Sequence, residues 1–323
     1  MRVYIARRLI RLVVTFIVVL VLNFFIPRAM PGNPANILAN ENQLPPETAK
    51  QLIKLFKLDE PIWDQFGAYI INTFQGNWGI SYRYYPTTVY ELLMQRLPWT
   101  IFLLGISTIT TALLGMFLGI VAGWKRGSKI DSTISISSMF IWAIPYYWLA
   151  MMLVYVFGYI LKLTPISQAL TPGTEYSNFF DFALDALYHA ILPVSAITLT
   201  AFATYTLITR NTMLDVLAED FVTVAKAKGL PERTVVIKHV LRNALLPPIT
   251  ILSLRFGFIV GGAIFTETVF SYPGVGSLIY ESIIYHDYPV LQGAFFLLSI
   301  TVILANLVAD IIYIILDPRV RYG

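Results

Sequence analysis

Long apolar runs constrain this chain more than any other feature. A stretch of about eighteen or more weakly charged residues is stable in hydrocarbon as a helix, because a helix satisfies its own backbone hydrogen bonds. Roughly six such runs occur, near 9–26, 100–122, 132–161, 187–209, 246–270 and 289–316. Composition agrees, with 57% of the 323 residues hydrophobic and 13% charged. That is more apolar surface than one water-soluble core would hide. The chain reads as an all-α integral membrane protein with six transmembrane helices. The first run follows Arg2, Arg7, Arg8 and Arg11 in the manner of a signal peptide. Its length, and the lack of a small-residue cleavage site before Pro27, favour a retained helix.

Orientation follows from Lys and Arg in the short flanks. The amino terminus has four arginines, and Lys125, Arg126 and Lys129 follow the second run. The 210–245 loop holds six bases, the tail holds Arg319 and Arg321, and the short loops opposite hold about one, Lys162. Both termini are therefore expected in the cytoplasm. The formal charge of +4 arises from this asymmetry and implies the lipid bilayer as partner, with no nucleic acid. Cysteine is absent, which excludes disulfides and thiolate metal sites.

The expected organisation is an N-terminal transmembrane helix (1–26), an external segment (27–98), a permease core of five transmembrane helices (99–317) and a cytoplasmic tail (318–323). Within the external segment, Asp59 ahead of Pro61 suggests an N-cap with an early proline, and Thr88 with Glu91 has capping-box spacing. Ile62, Phe66, Tyr69, Ile70 and Phe74 form an apolar helical stripe, expected to pack on the transmembrane core or lie in the interface. Gly115, Gly119 and Gly123 recur at every fourth residue of the second run, and Gly257 and Gly261 repeat that spacing in the fifth. Such faces allow close helix approach. His189, His239 and His286 have no ligand-like spacing, so no metal site and no catalytic residue is expected.

The most informative stretch is the cytoplasmic loop 210–247, built as two helices with a corner. From Asp215 to Lys228 the sequence is helix-compatible, with Leu214, Leu217, Phe221 and Val224 on one stripe and Ala225 and Ala227 beside it. Gly229 supplies a C-terminal cap with a left-handed backbone. Pro231 restarts a helix whose apolar side is Val235, Val236, His239, Val240 and Leu245, before Pro247 and Pro248 break the chain. Small residues would let this corner sit deep in a partner's groove, with Glu219, Asp220, Lys226, Lys228, Glu232 and Arg233 at the rim. The alternative, an amphipathic loop lying on anionic lipid, would favour a mainly basic polar face, and here four acids accompany the six bases.

The run Ala225-Lys226-Ala227-Lys228-Gly229-Leu230, followed by Arg242-Asn243-Ala244-Leu245-Leu246-Pro247, resembles the cytoplasmic loop of binding-protein-dependent permeases of ATP-binding-cassette importers. The gap from Gly229 to Pro247 resembles the dipeptide, oligopeptide and nickel branch. The likeness extends along nearly the whole chain. Arg7-Arg8-Leu9, Pro31-Gly32-Asn33-Pro34-Ala35, Gly76-Asn77-Trp78-Gly79-Ile80-Ser81, Arg96-Leu97-Pro98, Phe270-Ser271-Tyr272-Pro273-Gly274-Val275-Gly276, Asp287-Tyr288-Pro289 and Leu316-Asp317-Pro318-Arg319 all resemble the first permease of the pair. The resemblance implies the six-helix fold of type I importers and a heterodimer with a second homologous permease. It also implies two ATP-binding-cassette ATPase subunits and an external solute-binding protein. In this setting Glu219, Asp220, Ala225, Lys226, Ala227, Lys228, Gly229 and Arg233 would couple the permease to the ATPases, with Ala225 against the ATPase groove.

No Gly-x-x-x-x-Gly-Lys-Ser/Thr run occurs, so ATP hydrolysis is assigned to partner subunits, and no cofactor is expected. The implied solute is a di- or oligopeptide, with oligosaccharide or nickel as alternatives. Arg255 departs from the resemblance, since relatives usually carry an uncharged residue there. It lies roughly 12 Å into the fifth run, and Asp310 lies roughly 10 Å into the sixth from the same face. The two are candidates for the translocation path, by pairing, by snorkelling of Arg255 or by contact with an anionic solute group. A rival class, an ion-coupled secondary transporter, would use the same two residues as a relay. A membrane enzyme built on Glu267 and Glu281 would need a base or metal partner, and none stands at suitable spacing.

Overall fold

The computed structural model describes residues 2–30, 47, 50, 53, 54, 57–256, 259 and 263–316, with side chains described for 13–30, 47, 50, 53, 54, 57–255, 259 and 263–303. The Pro31 to Ala35 motif, Gly257, Gly261, Asp317 to Arg319, Arg321 and the tail 318–323 lie outside the described residues. The described secondary structure is helical, relieved by a single bridge between Ile80 and Thr88. Two compact units emerge, one of Met1–Thr100, Val260–Ile264 and Pro273–Gly323, the other of Ile101–Ile259 and Phe265–Tyr272.

In the first unit, helix α1 (Arg2–Arg28) packs along the last helix, α12 (Tyr288–Leu316). Helix α2 (Ile62–Phe74) lies against α1 in the opposite direction: Phe66 and Tyr69 pack on Phe24 at 5.1 and 5.5 Å, and Phe74 packs on Phe16 at 6.2 Å. The apolar stripe of the external segment thus packs on α1, while Ile62 and the far side of Phe74 stay exposed. Pro61, rather than Asp59, occupies the N-cap position, and no side-chain cap bond is made. Helix α3 (Val89–Trp124) opens with the expected capping box: the Glu91 N–H donates to Thr88 Oγ1 at 3.2 Å and the Thr88 N–H to Glu91 Oε2 at 3.1 Å. Its first turns meet α11 (Val275–Ile284) and α12 in a core of Val89, Leu93, Leu278, Ile279 and Leu291.

A buried carboxylate ties the loops of this unit together. Asp287 accepts from the Ser81 hydroxyl, from the Arg83 N–H at 3.1 Å and from the Val290 N–H at 3.4 Å. Burial pushes its carboxyl above the usual carboxylate range, with these hydrogen bonds pulling the other way.

In the second unit, α6 (Phe179–Leu217) runs 39 residues and packs on α4 (Lys129–Trp142) and α5 (Tyr146–Ile160). The remainder of α3 meets α6 through the glycine face. A Cβ on Gly115 would lie 2.5 Å from the Phe202 carbonyl oxygen, one on Gly119 2.6 Å from that of Thr206, and one on Gly123 2.8 Å from Met213 Cβ. The close approach read from the spacing is realised, and only hydrogen fits at these points.

Two expected spans are not continuous helices. The 132–161 run breaks at Ala143–Pro145, and α4 and α5 meet at 97°. Pro145 has no N–H to donate and disfavours helical backbone at Ile144. Straight, thirty residues would measure about 45 Å, against a hydrocarbon core of about 30 Å. The 246–270 run divides into α9 (Leu246–Phe256) and α10 (Ile264–Val269), with non-helical Ala263 before the second piece. Among the described residues two unbroken helices, α3 and α6, are long and apolar enough to cross a membrane, and up to four spans result if the bent pairs Lys129–Trp142 with Tyr146–Ile160 and Glu232–Ala244 with Leu246–Arg255 each count as one.

Two measurements test this packing. Gly119→Val should lower the thermal stability of the purified chain by about 1–3 kcal/mol through overpacking, whereas Gly105→Ala, where nothing lies within 4 Å of an added Cβ, should be neutral. For Asp287, the folded chain binds its proton more tightly than the unfolded chain, whose ordinary value is 3.8. Its contribution is therefore fully present at low pH and is lost as pH rises through the folded-state value. A melting series from about pH 4 upward should show this fall, and Asp287→Asn should flatten it.

Candidate coupling site

Helix α6 leaves the apolar region and ends at Leu217, so Asp215 to Leu217 belong to it and not to the corner. The chain turns through Ala218 and an extended Glu219 into α7 (Asp220–Ala227). Asp220 in its first turn and Lys226 in its last complement the helix dipole. Gly229 follows at φ +73°, its N–H donating to the Lys226 carbonyl at 2.9 Å, so the expected left-handed cap is present. Nothing lies within 4 Å of an added Cβ there, so the requirement for glycine is one of backbone conformation. Pro231 then caps α8 (Glu232–Ala244), in which Val235–Val240 form a π-helical turn. A 42° bend leads into α9 at Leu246 and Pro247.

The corner has an inside and an outside. Inside, Val222 and Ala225 of α7 pack with Val235, Val236, Val240 and Ala244 of α8 on Met213 of α6, with Ile120 of α3 at the edge. Of the apolar side expected for the second helix, Val235, Val236 and Val240 are in this core, while His239 and Leu245 are only partly buried and Ala244 is buried instead. The stripe expected for the first is not observed. Phe221 and Val224 face outward, 42% and 52% exposed, while the buried positions are Val222 and Ala225. Ala225, expected against an ATPase groove, is a core residue of the corner itself, because the break at Ala218–Glu219 resets the helical phase.

Outside, Glu219, Asp220, Lys226, Ala227, Lys228, Gly229 and Arg233 are all exposed. Between them lie Phe221, Val224, Leu230 and Ile237, an apolar face bordered by both signs of charge. Glu232 is turned back to the body of the unit, where its carboxylate accepts from the Trp124 indole N–H at 3.1 Å. Nearby, Arg210 grips Asp131 with two bonds, Nε to Oδ1 at 2.5 Å and Nη2 to Oδ2 at 2.8 Å. Asp131 also accepts from the Gly127 N–H at 3.0 Å. Neither the clamp nor the Trp124 contact was foreseen. Asp131, a lone acid directly after Lys125, Arg126 and Lys129 at the start of an apolar run, was the available signal for the first.

The two path candidates lie on different helices. Arg255 sits on α9 and is exposed. Asp310 belongs to α12, and its side chain lies outside the described ones. His189 is buried against the carbonyl oxygens of Ser167 and Gln168 at 3.1 and 3.2 Å. Glu267 is also buried, and Glu281 accepts from the Tyr84 hydroxyl.

A helical chain with helices long and apolar enough to cross a membrane is a membrane protein. The chain belongs to the family of binding-protein-dependent transport system inner membrane components. That family matches residues 115–322, and the family of N-terminal regions of such membrane components matches residues 1–104. The oligopeptide transport system permease protein AppB of Bacillus subtilis is 35% identical over 322 residues, covering 100% of both chains. The dipeptide transport system permease protein DppB of Escherichia coli K12 is 35% identical over 99% of this chain and 98% of its own. The glutathione transport system permease protein GsiC of Escherichia coli K12 is 35% identical over 99% of each.

The two sides of the corner respond differently to charge. Ala225→Glu places a carboxylate among buried valines and should open the corner to limited proteolysis, whereas Phe221→Glu on the exposed face should leave the digestion pattern unchanged.

Proposed function

We propose that this chain is one of two pore-forming permease subunits of an ATP-driven importer of di- or oligopeptides. It is embedded in the cell membrane by six spans with both termini cytoplasmic. It supplies half of the translocation path and does no covalent chemistry. A second homologous permease completes the path, two ATPase subunits drive it, and an external binding protein delivers the solute. The names of the relatives, dipeptide, oligopeptide and glutathione systems, support a peptide-like solute.

The observation that carries the coupling role is the exposed face Phe221, Val224, Leu230 and Ile237 on a corner whose inner side is fixed to α6 and α3. Glu219, Asp220, Lys226, Ala227, Lys228, Gly229 and Arg233 surround it and would meet the ATPase. Ala225 acts beneath them, by holding α7 on α8. Closure of the ATPases on ATP would move the corner as a rigid piece and bias the permeases between two discrete states. Arg255 and Asp310 are proposed for the path, Arg255 from its exposed position on α9.

Reconstitution of the chain with its partners tests the coupling. Phe221→Asp with Val224→Asp should abolish substrate-stimulated ATPase activity and uptake, with affinity for the binding protein unchanged. Normal uptake by the double variant would remove the corner from the coupling role. The absence of cysteine makes topology simple to probe. Single cysteines introduced by Asn72→Cys and Lys228→Cys should react with an impermeant reagent from opposite sides of the membrane, and labelling of both from outside would defeat the orientation.

A further inference from the structure

The first unit contains a cavity of about 300 Å³ that the transport reading leaves without a role. One wall is a single stripe of α12, Pro289, Gln292, Gly293 and Phe296, about 10 Å long at helical rise. Arg28 from the end of α1 and Gln65 from α2 contribute to the lining, with the amides of Asn72 and Asn77. Lys57 also lines it, and among the described residues no Asp or Glu does.

The charges are unequal in their commitments. Lys57 reaches Glu60 at 3.3 Å, an exposed pair worth little. The Arg28 guanidinium donates to Gln65 Oε1 at 3.1 and 3.2 Å and to the Phe24 carbonyl at 3.2 Å, and lies 3.6 Å over the Phe24 ring. These partners are all neutral, and among the described residues no carboxylate pairs with it.

Two donors in the lining have no acceptor among the described residues, the Gln292 side-chain amide and the Trp78 indole N–H. Gln292 is 9% exposed, and its backbone carbonyl accepts from Asn23 Nδ2 at 2.8 Å, which ties α12 to α1 at this level. A buried donor left without an acceptor costs about 1–3 kcal/mol and calls for an explanation. In a cavity whose described lining holds a cation, two orphaned donors and no acid, an acceptor-rich anion would supply the missing partner.

We propose that this cavity binds an oxyanion, a phosphate or carboxylate group on a molecule of headgroup size, with Arg28 as counter-charge and the Gln292 amide and Trp78 indole as donors. The guanidinium offers charge-assisted bonds suited to such a group. Phe296 and the ring face of Trp78 supply an apolar wall for the carbon part of the ligand. The phosphodiester of an anionic phospholipid and a free phosphate share this chemistry.

The test uses the full chain purified in neutral detergent, and its readouts are independent of transport. Dihexanoyl phosphatidylglycerol, dihexanoyl phosphatidylcholine and inorganic phosphate are titrated in turn, following melting temperature and tryptophan fluorescence. Phosphatidylglycerol should raise the melting temperature saturably, with a fluorescence change that Trp78→Phe removes. Gln292→Leu should weaken this binding about tenfold while leaving the ligand-free chain as stable or more so, because an orphaned donor disappears. Arg28→Gln should abolish it. Inorganic phosphate competing at the same site would identify a free anion as the source, and phosphatidylglycerol alone would identify lipid. Equal binding of phosphatidylcholine, absence of saturation by either anion, or unchanged affinity in Gln292→Leu would each overturn the proposal.

Discussion

The second unit depends on the absence of side chains along one face of α3. In lipid, helices gain no hydrophobic advantage from meeting each other, so association rests on how closely backbones approach. Gly115, Gly119 and Gly123 let α3 come within van der Waals reach of the α6 backbone from Phe202 to Met213. The last contact is the consequential one. Met213 packs on Gly123 with one side and forms the floor of the corner core with the other. The residue after Gly123 is Trp124, whose indole holds Glu232 at the start of α8. Helix packing inside the apolar region is thereby continued, without a flexible joint, into the element outside it.

The Asp131 and Arg210 clamp reinforces the same end of α6. Asp131 is nearly inaccessible and Arg210 three-quarters buried, so their charges are largely removed from water. A buried pair of this kind adds less net stability than its geometry suggests, but removing one partner strands the other. Its effect is to fix the start of α4 on α6 in one register. Close helix contact and ion pairing thus act on the same 200–217 stretch of α6.

The sequence made helix type, the capping box at Thr88 and Glu91, the left-handed Gly229 and the glycine face legible, because each depends on neighbours within a few residues. The inside and outside of the corner were not. Phe221 and Val224 share a helical phase with Leu214 and Leu217, so an unbroken helix would have buried them together. One extended residue, Glu219, separates the two helices, and periodicity carries no record of it. The break at Pro145 was marked by the proline, yet the apolar run continued through it, and hydropathy is blind to direction. Contacts such as Asn23 to Gln292, across most of the chain, have no local signature.

The π-helical turn at Val235–Val240 gives the corner a property of a screw. A π-turn holds one residue more than an α-turn needs, and it sits between the outward face of α7 and the start of α9. Returning that residue to α-helical winding would rotate everything beyond it by about 100° and advance it by about 1.5 Å. Arg255, fifteen positions past the end of the turn, would then swing about the axis of α8, from which α9 departs by 42°.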